Sequence, residues 1–254
     1  MSLQAFQLHG KTALVTGSRR GIGAAIALAL AQAGADVACH GLNHDSGPAS
    51  DEIRTIGRRT CYFSADVTHP DACKRLFEST IAEFGHLDIL VNNAGSIRRA
   101  PAAEYPAEQW DEMIAVHLSA AFRISQLAGK HMLDRGKPGK IVNIASLLSF
   151  QGGLRVPGYA AAKGGVANLT KALANEWASK GINVNAIAPG YIKTDNTTAL
   201  RNDPVRGKQI LDRIPAARWG EPSDLTGAAL FLCSSASDYV HGHVLVVDGG
   251  WLAG

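Results

Sequence analysis

The chain has 254 residues, of which 46% are apolar and 19% charged, and its formal net charge is +3. This length is near the largest that one hydrophobic core supports, and the composition is typical of a folded globular protein. The small, scattered net charge excludes a protein that binds nucleic acid through a strongly basic surface.

The cysteines and the N-terminal segment exclude further classes. Cys39, Cys61, Cys73 and Cys233 form no C-x-x-C pair, and their spacing fits neither a zinc site nor a disulfide framework. We therefore expect no metal site, and reduced thiols in a cytoplasmic protein. Residues 1–11 lack the basic and apolar regions of a signal peptide, and no apolar run reaches membrane-spanning length.

Short apolar, β-branched runs alternate with longer stretches of helical period along the chain. The predicted strands are 12–16, 36–40, 60–64, 88–92, 141–145, 183–188 and 243–247. The predicted helices are 22–33, 48–57, 70–84, 107–135, 160–180 and 223–234, and the fourth should break near its middle. Continuous apolar strands indicate helices on both faces of a parallel sheet. The chain is therefore predicted to be one α/β domain over 1–254, a Rossmann-like, doubly wound parallel sheet of about seven strands.

A glycine-rich turn follows the first predicted strand and reads TGSRRGIG over 16–23. Gly17, Gly21 and Gly23 allow a tight turn and a close approach of the backbone to a pyrophosphate. The N-terminus of the next helix adds free N–H groups and a positive dipole end. The spacing G-x-x-x-G-x-G differs from the generic dinucleotide fingerprint, so an ordinary tight turn is the alternative.

The end of the second predicted strand normally separates NAD from NADP. An acid there accepts from the ribose hydroxyls, whereas a basic group binds the 2′-phosphate. Residues 40–43 read His-Gly-Leu-Asn, with neither an acid nor an arginine. Arg19 and Arg20 of the preceding turn offer positive charge, so the residues themselves leave the choice of cofactor open.

Tyr159 and Lys163 are four residues apart on a predicted helix and therefore project from the same face. An ammonium group beside a phenol favours the phenolate and lowers the tyrosine pKa from about 10. A phenol tuned in this way is a general acid or base. Ser146, at the end of a neighbouring predicted strand, offers a hydroxyl to the same reacting oxygen.

These residues occur in an order typical of one family. The motifs are TGSRRGIG at 16–23, Asp66-Val67, Asn-Asn-Ala-Gly at 92–95, Ser146, Tyr159-x-x-x-Lys163, Pro189-Gly190 with Thr194, and Asp248-Gly249. On these motifs the chain resembles the short-chain dehydrogenases/reductases over essentially its whole length. The resemblance implies hydride transfer between a nicotinamide and a hydroxyl or keto carbon, with proton transfer through Tyr159.

The resemblance also implies roles for individual residues. Including Arg19 and Arg20, the predicted cofactor-binding residues are Gly17, Arg19, Arg20, Gly21, Ile22, Gly23, Asp66, Val67, Asn92, Ala94, Gly95, Tyr159, Lys163, Pro189, Gly190, Ile192 and Thr194. The predicted catalytic residues are Ser146, Tyr159 and Lys163.

One position departs from the family pattern. Where the family commonly has an Asn, thought to hold a water in a proton relay to the lysine, this chain has His117. A histidine also binds water and titrates near neutral pH. We therefore predict an active enzyme with an altered relay through His117, and slowed chemistry is the alternative.

Longer segments resemble a group within the family that acts on sugar acids from uronate breakdown. The group is named 2-deoxy-D-gluconate 3-dehydrogenase or 2-dehydro-3-deoxy-D-gluconate 5-dehydrogenase, and the similar segments are 146–159, 188–197, 210–219, 234–239 and 247–251. This resemblance implies a sugar-acid substrate and inclines the cofactor prediction towards NAD over NADP.

Arg98, Arg155 and Tyr191 are the predicted substrate residues. Arg98 and Arg99 follow a strand at the edge where ligands bind in such sheets, and Arg155 lies four residues before Tyr159. An arginine fork suits a carboxylate. The alternative is that these arginines are solvated or pair with acids at a subunit interface.

The rest of the chain predicts assembly and a lid. Helix 160–180 is apolar on more than one side, which predicts burial against the sheet and against a partner subunit, and the resemblance implies a homotetramer. The irregular stretch 190–219, in which a short helix is expected near 205–213, is a predicted substrate lid. Two other functions stay open: reduction of 3-oxoacyl chains on a carrier protein, and a non-catalytic dinucleotide sensor.

Overall fold

A parallel sheet of seven strands forms the centre of the computed structural model, which describes residues 3–254. The strands are β1 (Thr12–Val15), β2 (Asp36–Gly41), β3 (Thr60–Ser64), β4 (Ile89–Asn92), β5 (Gly139–Ile144), β6 (Ile182–Pro189) and β7 (Val244–Val247). Their spatial order is 3-2-1-4-5-6-7, and all neighbours are parallel. The predicted doubly wound sheet is confirmed, and the reversal of strand order between β1 and β4 places a ligand crevice at that point.

Helices cover both faces of the sheet, and over residues 3–254 nine are α-helices. They are α1 (Gly21–Gln32), α2 (Pro48–Thr55), α3 (Pro70–Phe84), α4 (Ala107–Ile114), α5 (Ala120–Arg135), α6 (Pro157–Trp177), α7 (Asp195–Asn202), α8 (Pro204–Leu211) and α9 (Thr226–Cys233). The predicted break in 107–135 is confirmed, because a π-helical turn, Ala115–Ser119, separates α4 from α5. None of the helices in this part of the chain has the length and hydropathy to cross a membrane.

The continuous apolar strands are explained by burial on both sides. Every residue of β1, β4, β5 and β6 is buried. One face packs against α1 and α9 through side chains such as Ile26 and Leu232. The other packs against α3, α5 and α6 through side chains such as Leu76, Ile124 and Trp177. The sheet is therefore a rigid platform whose carboxyl edge positions the loops described below.

The irregular stretch 190–219 is more ordered than its sequence indicates. It contains α8, which was predicted as a short helix, and α7, which was not. Helix α7 is polar, but a capping box formed by Thr194 and Thr197 stabilises its start. A hydrophobic cluster of Leu147, Ile210, Ile214, Trp219 and Trp251 fastens the stretch to the rest of the fold. Its role as a lid stays a prediction.

Candidate active site

The glycine-rich turn is held against the turn at 92–95 by hydrogen bonds and backbone contact. Thr16 Oγ1 accepts from the N–H groups of Asn93 (2.9 Å) and Ala94 (3.0 Å), and Asn93 Nδ2 donates to the carbonyls of Thr16 and Gly17. A Cβ on Gly17 would lie 2.8 Å from Ala94 Cα, and one on Gly23 would lie 2.3 Å from the Gly17 oxygen. Only glycine fits these two positions. Thr16 and Asn93 were not predicted as site residues.

The same turn has the features that a dinucleotide pyrophosphate requires. Arg20 is the N-cap of α1 and makes no side-chain capping bond, so the N–H groups of the first helical turn remain available to a ligand. Gly21 adopts φ +60°, and a Cβ there would lie 3.4 Å from Thr194 Cγ2. The turn and the segment after β6 therefore meet at one place, and the residues present fit a bound nicotinamide dinucleotide.

His40, at the end of β2, braces this turn from the side of the sheet. Its ring is buried; Nδ1 accepts from the Gly17 N–H (3.1 Å), and Nε2 lies 3.0 Å from the Ala65 carbonyl. Burial lowers the pKa of His40, which favours the neutral ring that donates from Nε2. In the sequence, His40 bears only on cofactor choice, and its structural role was not predicted.

The other predicted cofactor residues follow the carboxyl ends of the strands. Asp66 follows β3, and its carboxylate accepts from the backbone and hydroxyl of Thr68. Asn92 ends β4 and donates to Asn143 Oδ1 (2.8 Å) on β5, which supports the sheet edge. Gly190 directly follows β6 and lies close to the residue after β7, because a Cβ on it would lie 2.6 Å from the Asp248 Cα. These segments meet at the edge that the glycine-rich turn occupies.

The structure brings the three predicted catalytic side chains together. Ser146 follows β5, and its Oγ accepts from the Leu148 N–H (3.1 Å). Tyr159 and Lys163 lie in the first turns of α6, with Lys163 Nζ 5.6 Å from the centre of the tyrosine ring. Lys163 is buried, and its Nζ donates to the Ile144 carbonyl (2.6 Å).

The electrostatics of this group differ from the expectation. Burial raises the pKa of Tyr159, against the opposing effects of the Ser146 hydroxyl and the Arg99 charge. Burial also lowers the pKa of Lys163 to about 7. The expected depression of the phenol pKa by the lysine is therefore not seen in this arrangement, in which burial has the largest effect on the phenol. The phenol is protonated at neutral pH and is ready to act as an acid.

His117 lies in the π-helical turn, edge-on to the Tyr159 ring with the ring centres 5.0 Å apart. Its Nε2 lies 2.7 Å from the Ser96 carbonyl, and a Cβ on Gly95 would lie 2.1 Å from its ring. Burial and the nearby Lys163 charge lower the pKa of His117 well below 6.5. The expectation that His117 titrates near neutral pH is therefore wrong, since the ring stays neutral and donates from Nε2.

The remaining ring nitrogen of His117 is buried in a residue that lines a small cavity. Within the described part of the chain, His117 Nδ1 and Asn92 Oδ1 are buried without a hydrogen-bond partner. Both residues line, with Lys163, a cavity of ≈ 10 Å³, which is about the size of one water molecule. Two unpaired acceptors beside the lysine agree with a relay at this position, which stays a prediction.

The structure distinguishes the three arginines on the substrate side. Arg98 forms a bidentate pair with Glu112, with N···O distances of 2.8 and 2.9 Å. Arg99 donates to the Asn196 carbonyl of α7 (3.2 Å), and among residues 3–254 no carboxylate pairs with it. Arg155 is exposed with φ +64°, and its carbonyl accepts from the Ala100 N–H (3.0 Å). Arg99 and Arg155 therefore lie on adjoining loops, and no acid of the described residues 3–254 engages their guanidinium groups.

Tyr191 belongs to a group of packed aromatic side chains. Its ring packs against Trp219, with centres 5.5 Å apart, and against Trp251, with centres 4.7 Å apart. The Arg213 guanidinium lies 4.2 Å from the Trp251 ring centre. Trp219 and Trp251 therefore hold the ring of Tyr191 in place.

Comparison with known proteins agrees with this geometry. A family model described as Enoyl-(Acyl carrier protein) reductase matches residues 17–252. The chain belongs to the short-chain dehydrogenase/reductase family. The chain is 52% identical over 254 residues to the 2-dehydro-3-deoxy-D-gluconate 5-dehydrogenase of Escherichia coli K12, and the match covers all of both chains.

Two solved structures of this short-chain dehydrogenase/reductase family are also similar. One, from Agrobacterium tumefaciens with bound NADP, is provisionally named 2-deoxy-D-gluconate 3-dehydrogenase; it is 55% identical, with a TM-score of 0.93 and coverage of 98% and 99% of the two chains. The other is a gluconate 5-dehydrogenase from Burkholderia cenocepacia in complex with NADP and tartrate; it is 39% identical, with a TM-score of 0.95 and full coverage of both. The predicted family, fold and oxidoreductase class acting on CH–OH groups are confirmed.

Proposed function

We propose that this short-chain dehydrogenase/reductase transfers a hydride between a nicotinamide dinucleotide and a hydroxyl or keto carbon of a sugar acid of the gluconate type. The observation that carries the proposal is the meeting of Ser146, Tyr159 and Lys163 beside the glycine-rich turn, with Arg99 unpaired nearby. The names of the relatives support the substrate class. The NADP bound in two of these relatives supports NADP as a cofactor, whereas the predicted preference for NAD has no support from them.

The reaction divides between the cofactor and the side chains. When bound, the nicotinamide supplies or accepts the hydride. Tyr159 holds its proton at neutral pH and donates it to the substrate oxygen during reduction, which leaves a phenolate; in the reverse direction that phenolate takes the proton from the substrate hydroxyl. Ser146 presents its hydroxyl from the end of β5 to the same oxygen, and this fixes the carbon in front of the phenol.

We assign the substrate carboxylate to Arg99 rather than to Arg98. The guanidinium of Arg98 is engaged by Glu112, whereas Arg99 donates to a backbone carbonyl rather than to a carboxylate and lies near Tyr159 and Tyr191. A charge-assisted fork at this place would hold one end of a sugar acid while its hydroxyl reaches Tyr159. Arg155 is a second cation on the adjoining loop, and the tartrate ligand of one relative is itself a dicarboxylate.

The proposal is tested by the absorbance of reduced nicotinamide with a panel of sugar acids, their neutral sugars and a 3-oxoacyl thioester, each with NAD and NADP. We expect turnover with a keto-deoxy-gluconate or gluconate substrate and much less with the neutral sugars. Turnover with the thioester alone would favour the carrier-protein reductase. Dinucleotide binding without any turnover would favour the sensor.

We further propose a homotetramer in the cytoplasm, with the stretch 190–219 as a substrate lid. The side chains of Trp110 on α4 and Phe122 on α5 are each 41% exposed. Phe122, Leu118 and Leu169 line an open groove of ≈ 430 Å³ between α5 and α6. An exposed apolar surface of this kind supports a subunit contact. A monomer in light scattering at micromolar concentration would contradict the tetramer.

A further inference from the structure

Arg19 and Asp45 form an ion pair beside the glycine-rich turn. The Arg19 Nη2 pairs with one carboxylate oxygen of Asp45, and Arg19 Nε donates to the Asp45 backbone carbonyl (3.2 Å). The other carboxylate oxygen of Asp45 accepts from the Gly47 N–H (2.9 Å). The carboxylate is therefore fixed at both oxygens, and the arginine is bound through both its side chain and the loop backbone.

This pair lies at the end of β2. A Cβ on Gly41, the last residue of that strand, would lie 3.5 Å from Arg19 Cβ, and a Cβ on Gly47 would lie 2.3 Å from the Arg19 carbonyl oxygen. In dinucleotide-binding sheets, the end of the second strand is where an acid contacts the ribose hydroxyls or an arginine accommodates the 2′-phosphate. Here the arginine is Arg19 and the acid is Asp45, and neither belongs to the strand end at 40–43.

The charges at this place act differently on the two cofactors. A phosphate monoester carries about −1.5 to −2 charge at pH 7 and three acceptor oxygens, so a 2′-phosphate competes with Asp45 for the Arg19 guanidinium. The Asp45 side chain is 63% exposed, and exposed ion pairs are weak, so the phosphate can displace it. The displaced carboxylate then lies beside a second anion and repels it. NAD, which lacks the 2′-phosphate, neither competes with Asp45 for Arg19 nor places a second anion beside the displaced carboxylate.

We propose that Asp45 sets the cofactor preference of this protein by occupying the guanidinium of Arg19 that a 2′-phosphate needs. The preference for NADP is accordingly weaker than the two arginines of the turn would produce alone. This inference rests on the proposed use of a nicotinamide dinucleotide, and it does not depend on the identity of the sugar acid.

The next residue of the turn supplies a matched control. Arg20 pairs with Asp195 at the start of α7, so the chain contains two adjacent arginine–aspartate pairs. Asp195 lies beyond β6 rather than beyond β2, and both side chains of its pair are well exposed. Freeing Arg20 by Asp195→Asn tests whether any released arginine in this turn improves binding of a phosphorylated ribose.

The experiment measures binding of 5′-AMP and 2′,5′-ADP to the full chain by calorimetry, for the wild type, Asp45→Asn, Asp195→Asn and Arg19→Gln. We expect Asp45→Asn to bind 2′,5′-ADP about 5- to 10-fold more tightly, with 5′-AMP within about twofold, because a competitor and a like charge are both removed. Arg19→Gln should weaken 2′,5′-ADP about 10-fold, and Asp195→Asn should change neither ligand. The NADP/NAD ratio of kcat/KM should move in the same directions.

Three results separate the possible failures. Equal changes for both nucleotides in Asp45→Asn, or none, would overturn the role of Asp45. Unchanged 2′,5′-ADP binding in Arg19→Gln would overturn the phosphate contact. Binding of neither nucleotide to any variant would instead contradict the use of a dinucleotide, and with it the proposed function.

Discussion

The dinucleotide side and the substrate side of the site are built differently. On the dinucleotide side, backbone meets backbone: Gly17 lies against Ala94, and Gly23 lies against the Gly17 carbonyl. On the substrate side, the segments meet through hydrogen bonds of two arginines: Arg99 donates to the Asn196 carbonyl, and the Arg155 carbonyl accepts from the Ala100 N–H. The glycine positions of the first side accept no other residue, whereas the second side depends on the charge of individual side chains.

The largest expected effect is on the dinucleotide side, in Gly23→Ala. The new Cβ would lie 2.3 Å from the Gly17 oxygen and 2.4 Å from Asn93 Nδ2, so the turn must open. We expect dinucleotide affinity to fall at least about 100-fold, since the phosphate contacts depend on that backbone. Gly164→Ala in α6 is the control, because nothing lies within 4 Å of a Cβ there. Equal affinities in the two variants, measured by calorimetry, would contradict the comparison.

The next effect is on the substrate side, in Arg99→Met. Loss of a charge-assisted contact to a carboxylate should raise the KM for the sugar acid about 10- to 100-fold, with the KM for the dinucleotide unchanged. Arg98→Met removes only an exposed pair with Glu112 and should change the KM less than about threefold. The reverse order of the two variants would return the anchor to Arg98.

A smaller effect is expected where the two sides meet, at His117. His117→Leu removes a buried, unpaired acceptor of a residue that lines the small cavity with Lys163, whereas His117→Asn keeps a polar group there. If the position takes part in proton transfer, kcat should fall about 10-fold in the leucine variant and recover most of its value in the asparagine variant. An unchanged kcat and pH–rate profile in His117→Leu would remove the relay role.

An effect of a different kind is expected on stability, through Lys163. Its pKa is about 7 in the folded chain against 10.5 for an ordinary lysine, so between these values the unfolded chain binds the additional proton. The free energy of unfolding should therefore rise with pH from about 7 upward, and this rise should be missing in Lys163→Met. Urea midpoints at pH 7, 8 and 9 measure it. Equal slopes in both proteins would show that Lys163 keeps its proton in the fold.

The difference between the dinucleotide side and the substrate side also explains which features of the fold and the site the sequence predicts. The glycine-rich turn, the seven strands and the shared face of Tyr159 and Lys163 follow from local patterns, because period, turn residues and helical spacing are local properties. The roles of these residues with Ser146 were implied by the family resemblance. Helix α7 was missed because its residues are polar and only a capping box defines its start.

The substrate side could not be ranked from sequence. Arg98 and Arg99 are adjacent and chemically identical, and they differ only because Glu112 of α4 reaches one of them. Asp45 lies outside the strand end that normally determines the cofactor, and its partner Arg19 comes from another segment. The pKa values of Tyr159 and Lys163 depend on burial, which a spacing of four residues does not reveal.

The measurement that tests the account most directly is kcat for Tyr159→Phe, with dinucleotide affinity measured on the same protein. Removing the phenolic oxygen leaves the ring against His117 and should leave the affinity within about threefold of the wild type. We predict that kcat falls at least about 100-fold, the scale of a lost general acid–base group. A kcat within threefold of the wild type would show that the proton passes through another group.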